Sequence, residues 1–376
     1  MFCSSSSRCR VPPSRQVRAN PVHLTKGMAM TIVENQTMIT GGVDTHLDVH
    51  VAAAIDANGG VLGVETFQTR GAGYAQLVCW LRRFGPIERV GVEGTGSYGT
   101  GLARHLRSEG ITVVEVDRPN RQARHRHGKS DTVDAIAAAR AALTRTATGQ
   151  AKHRDGNVEA IRVLMVARRS AVDERIAILN QIRHLVICAP DDIRARFNGL
   201  SPAALLNQTS SLRPRDHGDV VDYTTLITLR ELGRRAKNLH DENVRLNKLL
   251  RPLIRRTAPG LLDVFGVGYD TAAKLLVAAG DNPERLHSEA AWAHMCGVSP
   301  IEASSGKTKR HRLNRGGNRQ ANSAIYHIML TRLRYDQRTR DYLARRSTEG
   351  KTTGEICRML RRYIAREIYK QLPRPN

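Results

Sequence analysis

Four carboxylates in three separated stretches carry the most suggestive chemistry in this chain. Asp44 stands in Gly-Val-Asp-Thr-His, Glu93 in Val-Gly-Val-Glu-Gly-Thr-Gly, and Asp131 and Asp134 in Lys-Ser-Asp-Thr-Val-Asp-Ala. The i,i+3 spacing of the last two puts both on one face of a helix. Either aspartate alone is explained by the preference of a helix start for acidic caps. All four together repel one another unless a cation lies between them. Hard oxygen donors suit Mg²⁺, with Mn²⁺ as the alternative, and a pair of such ions roughly 3.5–4 Å apart could activate an attacking oxygen and stabilise a departing one at a phosphodiester. Asp48 rivals Asp44 because it could share the face of the strand. Asp56 reads as a turn residue, and Asp117 ends a strand that could point the same way.

A second constellation occupies residues 296–322, where Ser304 and Ser305 precede Gly306 among Lys307, Lys309, Arg310, Arg312, Arg315 and Arg319. Such cations could neutralise a phosphodiester and stabilise the charge that builds as a hydroxyl attacks it. By chemistry alone, Ser-Gly in a basic loop is usually only a turn. A further basic loop, with Arg121, Arg124, Arg126 and Lys129 around His125 and His127, lies beside the acidic stretches and reads as a phosphate contact or as a solvated loop.

Three textures of sequence must position these groups. Residues 40–150 alternate strands with helices: strands at 41–45, 49–56 and 61–68 around the Asn58-Gly59-Gly60 turn, a helix after Gly71 and Gly73, a strand at 89–93, a helix at 98–108, a strand at 111–117 and a helix from Asp131 to Leu143. A strand hairpin followed by strand–helix–strand units implies an α/β fold with a mixed sheet, which places Asp44 and Glu93 at strand carboxyl ends, where ligands gather. Residues 156–256 are expected to be helical, with 198–222 as a loop. Leu229, Leu232, Ala236, Leu239, Asn243, Leu246, Leu250 and Leu253 form a heptad seam limited by Pro252. The seam fits self-association or an antiparallel hairpin with residues 161–186. Residues 257–376 read as helices with basic connectors, including a helix–hairpin–helix-like turn at Gly266-Val267-Gly268 whose amides could hold a phosphate. Residues 1–39, with the Ser4–Ser7 run and Pro12-Pro13, read as a disordered arm.

Composition narrows the classes further. With 59 Lys+Arg against 35 Asp+Glu the formal charge is +24, and a polyanion such as nucleic acid is the expected partner. Aromatics are only 4 %, so stacking platforms for single-stranded bases are not expected to dominate. Six cysteines without CxxC spacing suggest neither a zinc site nor a disulfide framework, in keeping with a reducing cytoplasm. No apolar run long enough for a membrane span is present, and the extreme basicity with the basic Ser-Gly segment argues against an actin-like ATPase fold.

Taken together, the three acidic motifs and the Gly-Val-Ser-Pro…Ser-Ser-Gly…Asn-Arg-Gly-Gly-Asn segment resemble the IS110/IS1111 family of insertion-sequence transposases, in the family's order over about residues 40–340. The resemblance implies a RuvC-like, ribonuclease-H-type domain whose metal ligands would be Asp44, Glu93, Asp131 and Asp134. It further implies a coiled-coil middle and a helical C-terminal transposase domain with Ser305, or its neighbour Ser304, as nucleophile. It implies homo-oligomers, dimeric or tetrameric, in which the acidic site of one subunit meets the serine of another. Double-stranded donor and target DNA and a guide RNA encoded by the element would be the partners. A metal nuclease resembling a Holliday-junction resolvase, cutting without a covalent intermediate, is the alternative.

Overall fold

The computed structural model describes residues 37–116, 130–147, 149–215, 219–307, 311–312, 314 and 316–373. The expected arm up to residue 36, Asp117, the basic 121–129 loop, Lys309, Arg310 and Arg315 lie outside the described residues.

Valine, isoleucine and alanine dominate β2 (Val49–Ile55), while glycine and threonine are the commonest residues of β1 (Ile39–Thr45), and both strands are buried almost throughout. Residues on such central strands are covered on both faces, so they need no polar alternation. β1 pairs antiparallel with β2, and β2 with β3 (Val61–Gln68). At the turn between β2 and β3, the Asp56 carboxylate accepts from the Asn58 and Gly60 amides at 2.8 Å each, a turn role as expected. β4 (Ile87–Glu93) lies parallel to β1, β5 (Thr112–Val116) parallel to β4, and the short β6 (Gly149–Gln150) antiparallel to β5. The resulting six-stranded mixed sheet runs β3-β2-β1-β4-β5-β6. Helices α1 (Gly71–Arg82) and α2 (Thr100–Ser108) bury Leu77, Leu81, Leu102 and Leu106 against Val43, Val90 and Val92 on one face. Helix α3 (Asp131–Leu143) covers the other face, with Ala135 against Val51 and Ala53.

The helical remainder is built around a long antiparallel pair, α4 (Asn157–Ile187) and α7 (Val220–Thr257). Val158 and Ile161 pack with Leu250 and Ile254 at one end. Ile178 and Ile182 pack with Leu229 and Ala236 at the other. The heptad seam is thus used within the chain. Its Asn243 accepts from the Asn247 side chain at 3.2 Å, and Asn247 in turn accepts from Arg168 of α4 at 2.9 Å, a polar rung between the two helices.

Pro252 sits in the last turns of α7 on an exposed face, where the Lys248 carbonyl that loses its amide partner can be hydrated. One expectation for this region is corrected. The stretch 198–222 is not a continuous loop. It contains α6 (Pro202–Ser210), started by Pro202 at its first position and by Ser201, whose hydroxyl accepts from the Ala204 amide. Helix α6 docks where α7 presents Gly233, at which a Cβ would lie 2.5 Å from the Thr209 hydroxyl.

α5 (Asp191–Phe197) closes this end of the pair, with Ile193 and Phe197 in the same core. The last third packs α9 (Tyr269–Ala279), α10 (Glu289–Met295), α11 (Arg319–Tyr335) and α13 (Thr353–Gln371) around buried Trp292, with α12 (Gln337–Thr348) alongside. At the Gly266 turn, whose φ is +87°, α9 is a full helix, but the preceding side is only the single turn α8 (Pro259–Leu262). The Gly268 amide there is taken by the Thr271 hydroxyl at 3.0 Å.

The connection between sheet and helices is closely pinned. Asp281 caps α4 through the Val158 and Glu159 amides at 2.8 and 3.1 Å, Asn282 donates to the Ala151 carbonyl, and Arg285 to that of Gln150. Lys152 donates to the Val277 carbonyl at 2.7 Å, and burial pulls its pKa down to about 8.

Candidate active site

Glycines fix where the acidic groups go. Along β1, Gly42 and Asp44 share one face; along β4, Gly91 and Glu93 do the same, because successive residues of a strand alternate. A Cβ built on Gly42 would lie 2.1 Å from the Ala139 nitrogen and 2.3 Å from the Ala135 carbonyl oxygen, and one on Gly91 2.4 Å from the Ala138 carbonyl oxygen. The bare backbones of both strands therefore let α3 press onto the sheet. Since Ala139 and Ala135 sit over Gly42, the helix start lies beyond it, toward the carboxyl ends of the strands. Both acids point toward the opening turn of α3, which carries Asp131 and Asp134. That turn is also the positive end of the helix dipole, which favours carboxylates nearby.

This close packing makes a sharp prediction. Backbone atoms cannot move aside as a flexible side chain would, so Gly42→Ala should lose about 3 kcal/mol of stability, the upper range for overpacking. Equilibrium urea unfolding measures it, and a loss under about 1 kcal/mol would show that α3 rides further from the sheet than described.

Asp44, Glu93 and Asp134 are buried, while Asp131 is half exposed. The Thr45 hydroxyl donates to the Glu93 carbonyl at 2.8 Å and locks the ends of β1 and β4 together. Asp44, Asp131 and His46 each bring one ligand atom to within 4.8 Å of the others. His46 Nε2 lies 3.2 Å from Asp44 Oδ2 and 3.3 Å from Asp131 Oδ2, and neither contact has hydrogen-bond geometry, although the nitrogen itself is buried. Two carboxylate oxygens around a buried nitrogen without a hydrogen bond form a donor set that fits a divalent cation. Glu93 and Asp134 do not belong to this group. Asp48 is exposed on the β1–β2 turn, its carbonyl accepting from the Thr69 amide, and is not among the three.

His46 is the residue that sequence reasoning missed. The signal was present in Asp-Thr-His, because a two-residue step in extended chain keeps the imidazole on the face of Asp44.

The serine segment sits at a different place in the fold. β7 (Ile301–Glu302) and β8 (His311–Arg312) form a short antiparallel hairpin where only a basic connector was expected, and Ser304 and Ser305 lie on the connection between them. Both serines are exposed, and Gly306 follows with φ of +55°, a left-handed conformation that favours glycine. Lys307, Arg312 and Arg319 are likewise exposed. The asparagines of the following stretch hold the hairpin base. Asn314 donates to the His294 carbonyl at 3.0 Å, Asn318 caps α11, and Asn322 donates to the Cys296 carbonyl at 2.9 Å. Gly317 packs against Gly297, where a Cβ would come within 2.3 Å of the backbone. Among the described residues, no helix is long and apolar enough to cross a membrane.

Comparison with known proteins agrees with this arrangement. A family model for transposases of the DEDD, IS110 type matches residues 41–187, and one described as transposase of the IS116/IS110/IS902 family matches residues 258–344. An uncharacterized 43.6 kDa protein of insertion element IS110 from Streptomyces coelicolor is 31 % identical over 144 residues, which is 37 % of this chain and 35 % of that relative. The chain thus spans about a third of the length of the curated relative it matches. The two family models follow one another along more than half of the sequence, one over the sheet with its first long helix and the other over the serine hairpin, and the chain belongs to the IS110 family of transposases.

Proposed function

We propose that this protein is a DNA transposase that cuts and exchanges strands of donor and target DNA with a divalent metal, Mg²⁺ or Mn²⁺, held by Asp44, Glu93, Asp131 and Asp134. The observation that carries the reading is the meeting of Asp44 and Asp131 around His46, beside buried Glu93, at the carboxyl ends of two parallel strands. A divalent ion there would supply Lewis-acid stabilisation to a phosphoryl oxygen. His46, within reach of both aspartates, would join the carboxylates as a nitrogen donor to that ion. Ser305 is the nucleophile: its Oγ–P bond forms as the bond from phosphorus to the departing deoxyribose oxygen breaks, the serine proton leaving to water and the departing oxygen taking one up. A hydroxyl of the partner strand then attacks the same phosphorus and releases the serine, so the phosphodiester energy is conserved without ATP. The exposure of Ser305 leaves it open to the acidic site of a second subunit in a dimer or tetramer. The +24 charge suits a protein that also holds a guide RNA.

The test uses the unmodified protein and a duplex containing the ends of its own element. With Mg²⁺, denaturing gels should show a protease-sensitive protein–DNA adduct together with cut strands, and EDTA should abolish both. Cut strands without any adduct would instead favour water as the attacking group, as in a resolvase-like nuclease.

A further inference from the structure

Beside the serine hairpin lies a groove of about 750 Å³ between β8 and α13, and no role has yet been attached to it. Arg312 lines one wall; Lys351, Arg358, Arg361 and Arg362 line the other, with Tyr363 exposed next to them. The cations differ in how they are held. Arg361 donates to the Asn322 side chain at 2.6 Å, and Arg362 pairs with Glu289, so both are fixed in place. Among the described residues, the side chains of Lys351 and Arg358 make no ion pair or hydrogen bond, and both are exposed. The one carboxylate in the groove, Glu355, is turned back on Thr352, whose amide and hydroxyl both donate to it. Five cations thus line the groove against the single carboxylate Glu355, whose charge Lys351 and Arg358 feel without forming an ion pair with it, and the wall β8 pairs with β7, which runs on into Ser304 and Ser305.

We infer that this groove seats the phosphodiester backbone of the DNA strand that Ser305 attacks, with Lys351 and Arg358 each contacting a phosphate and Arg312 closing the opposite side. The inference rests on the serine reading for the direction of the strand, but its binding step does not need the covalent chemistry. Contacts of this kind position a duplex without reading its sequence.

The experiment compares the full chain with the double variant Lys351→Gln/Arg358→Gln, both exposed positions outside the hydrophobic core. Duplex DNA affinity is titrated over a range of salt. Each phosphate contact contributes a slope of roughly 0.9 in log K against log salt, so the double variant should flatten the slope by about 2 and weaken binding on the order of tenfold or more near physiological salt. Lys237→Gln on α7, a single-site control away from the groove, should leave affinity within about twofold and flatten the slope by less than 1, since at most one contact is removed. An unchanged slope in the double variant overturns the inference. So does a loss confined to a structured RNA of matched length with DNA binding intact, which would assign the groove to RNA. Ser305→Ala separates the two readings: it should bind with the native slope while forming no adduct. If it instead forms adduct normally while the double variant still loses DNA binding, the serine reading fails and the groove as a backbone site stands.

Discussion

Asp44→Asn should reduce strand cleavage on the order of 10³-fold, about 4 kcal/mol of transition-state stabilisation, with DNA binding unchanged. The substitution keeps the shape of a residue that is only 5 % exposed, so the fold should survive and near-ultraviolet circular dichroism should match the native protein. What is lost is a negative charge at the point where β1 meets the first turn of α3. If Asp44, Glu93, Asp131 and Asp134 hold the metal together, they act as a unit, and Glu93→Gln added to Asp44→Asn should cost little beyond either single change. Single-turnover cleavage of an oligonucleotide duplex at saturating Mg²⁺ measures all three. Retention of more than about a tenth of the native rate by Asp44→Asn would remove this carboxylate from the chemistry, while full multiplication of the two single effects would show that Asp44 and Glu93 do not act as a unit on one ion.

The placement of these acids was largely legible because it depends on local pattern. Gly-x-Asp and Gly-x-Glu each close a short apolar strand, and the 61–68 strand and the helix from Asp131 to Leu143 fall where the sequence puts them. What could not be read locally is the contact that makes the pattern work. Nothing near Gly42 in sequence says that the backbone of Ala139 will press on it, since 97 residues separate the two and only the folded sheet brings them together. His46 escaped notice for a related reason: its meaning comes from Asp131, far along the chain. Helix α6 was hidden because its seven polar or small residues out of nine look like a loop, and its two leucines gain value only in the core they share with Leu229 and Ala236 of α7. The seam on α7 was visible, but periodicity alone carries no information about whether its partner is α4 of the same chain or a second copy.

The second large effect belongs to Ser305. Ser305→Ala should eliminate the covalent protein–DNA adduct and lower strand exchange on the order of 10³-fold or more, the scale for loss of a nucleophile whose residual rate comes from binding and electrostatics alone. Ser304→Ala is the decisive companion, because the two hydroxyls are adjacent and both exposed. Gly306, at φ +55°, turns the chain immediately after Ser305 and leaves open space there, so a phosphodiester can approach that hydroxyl without meeting a side chain from the next residue. Ser304 lacks such a neighbour, and its variant should keep adduct formation within a few-fold of native, on the scale of an indirect contact rather than the attacking group. Denaturing gels of end-labelled duplex separate the cases. Loss of adduct with Ser304→Ala alone would move the nucleophile by one residue. Retained adduct in both single variants and in the double would place the attacking group outside the hairpin, while Mg²⁺-dependent cutting by Ser305→Ala at the native rate would mean that water does the work at the acidic site.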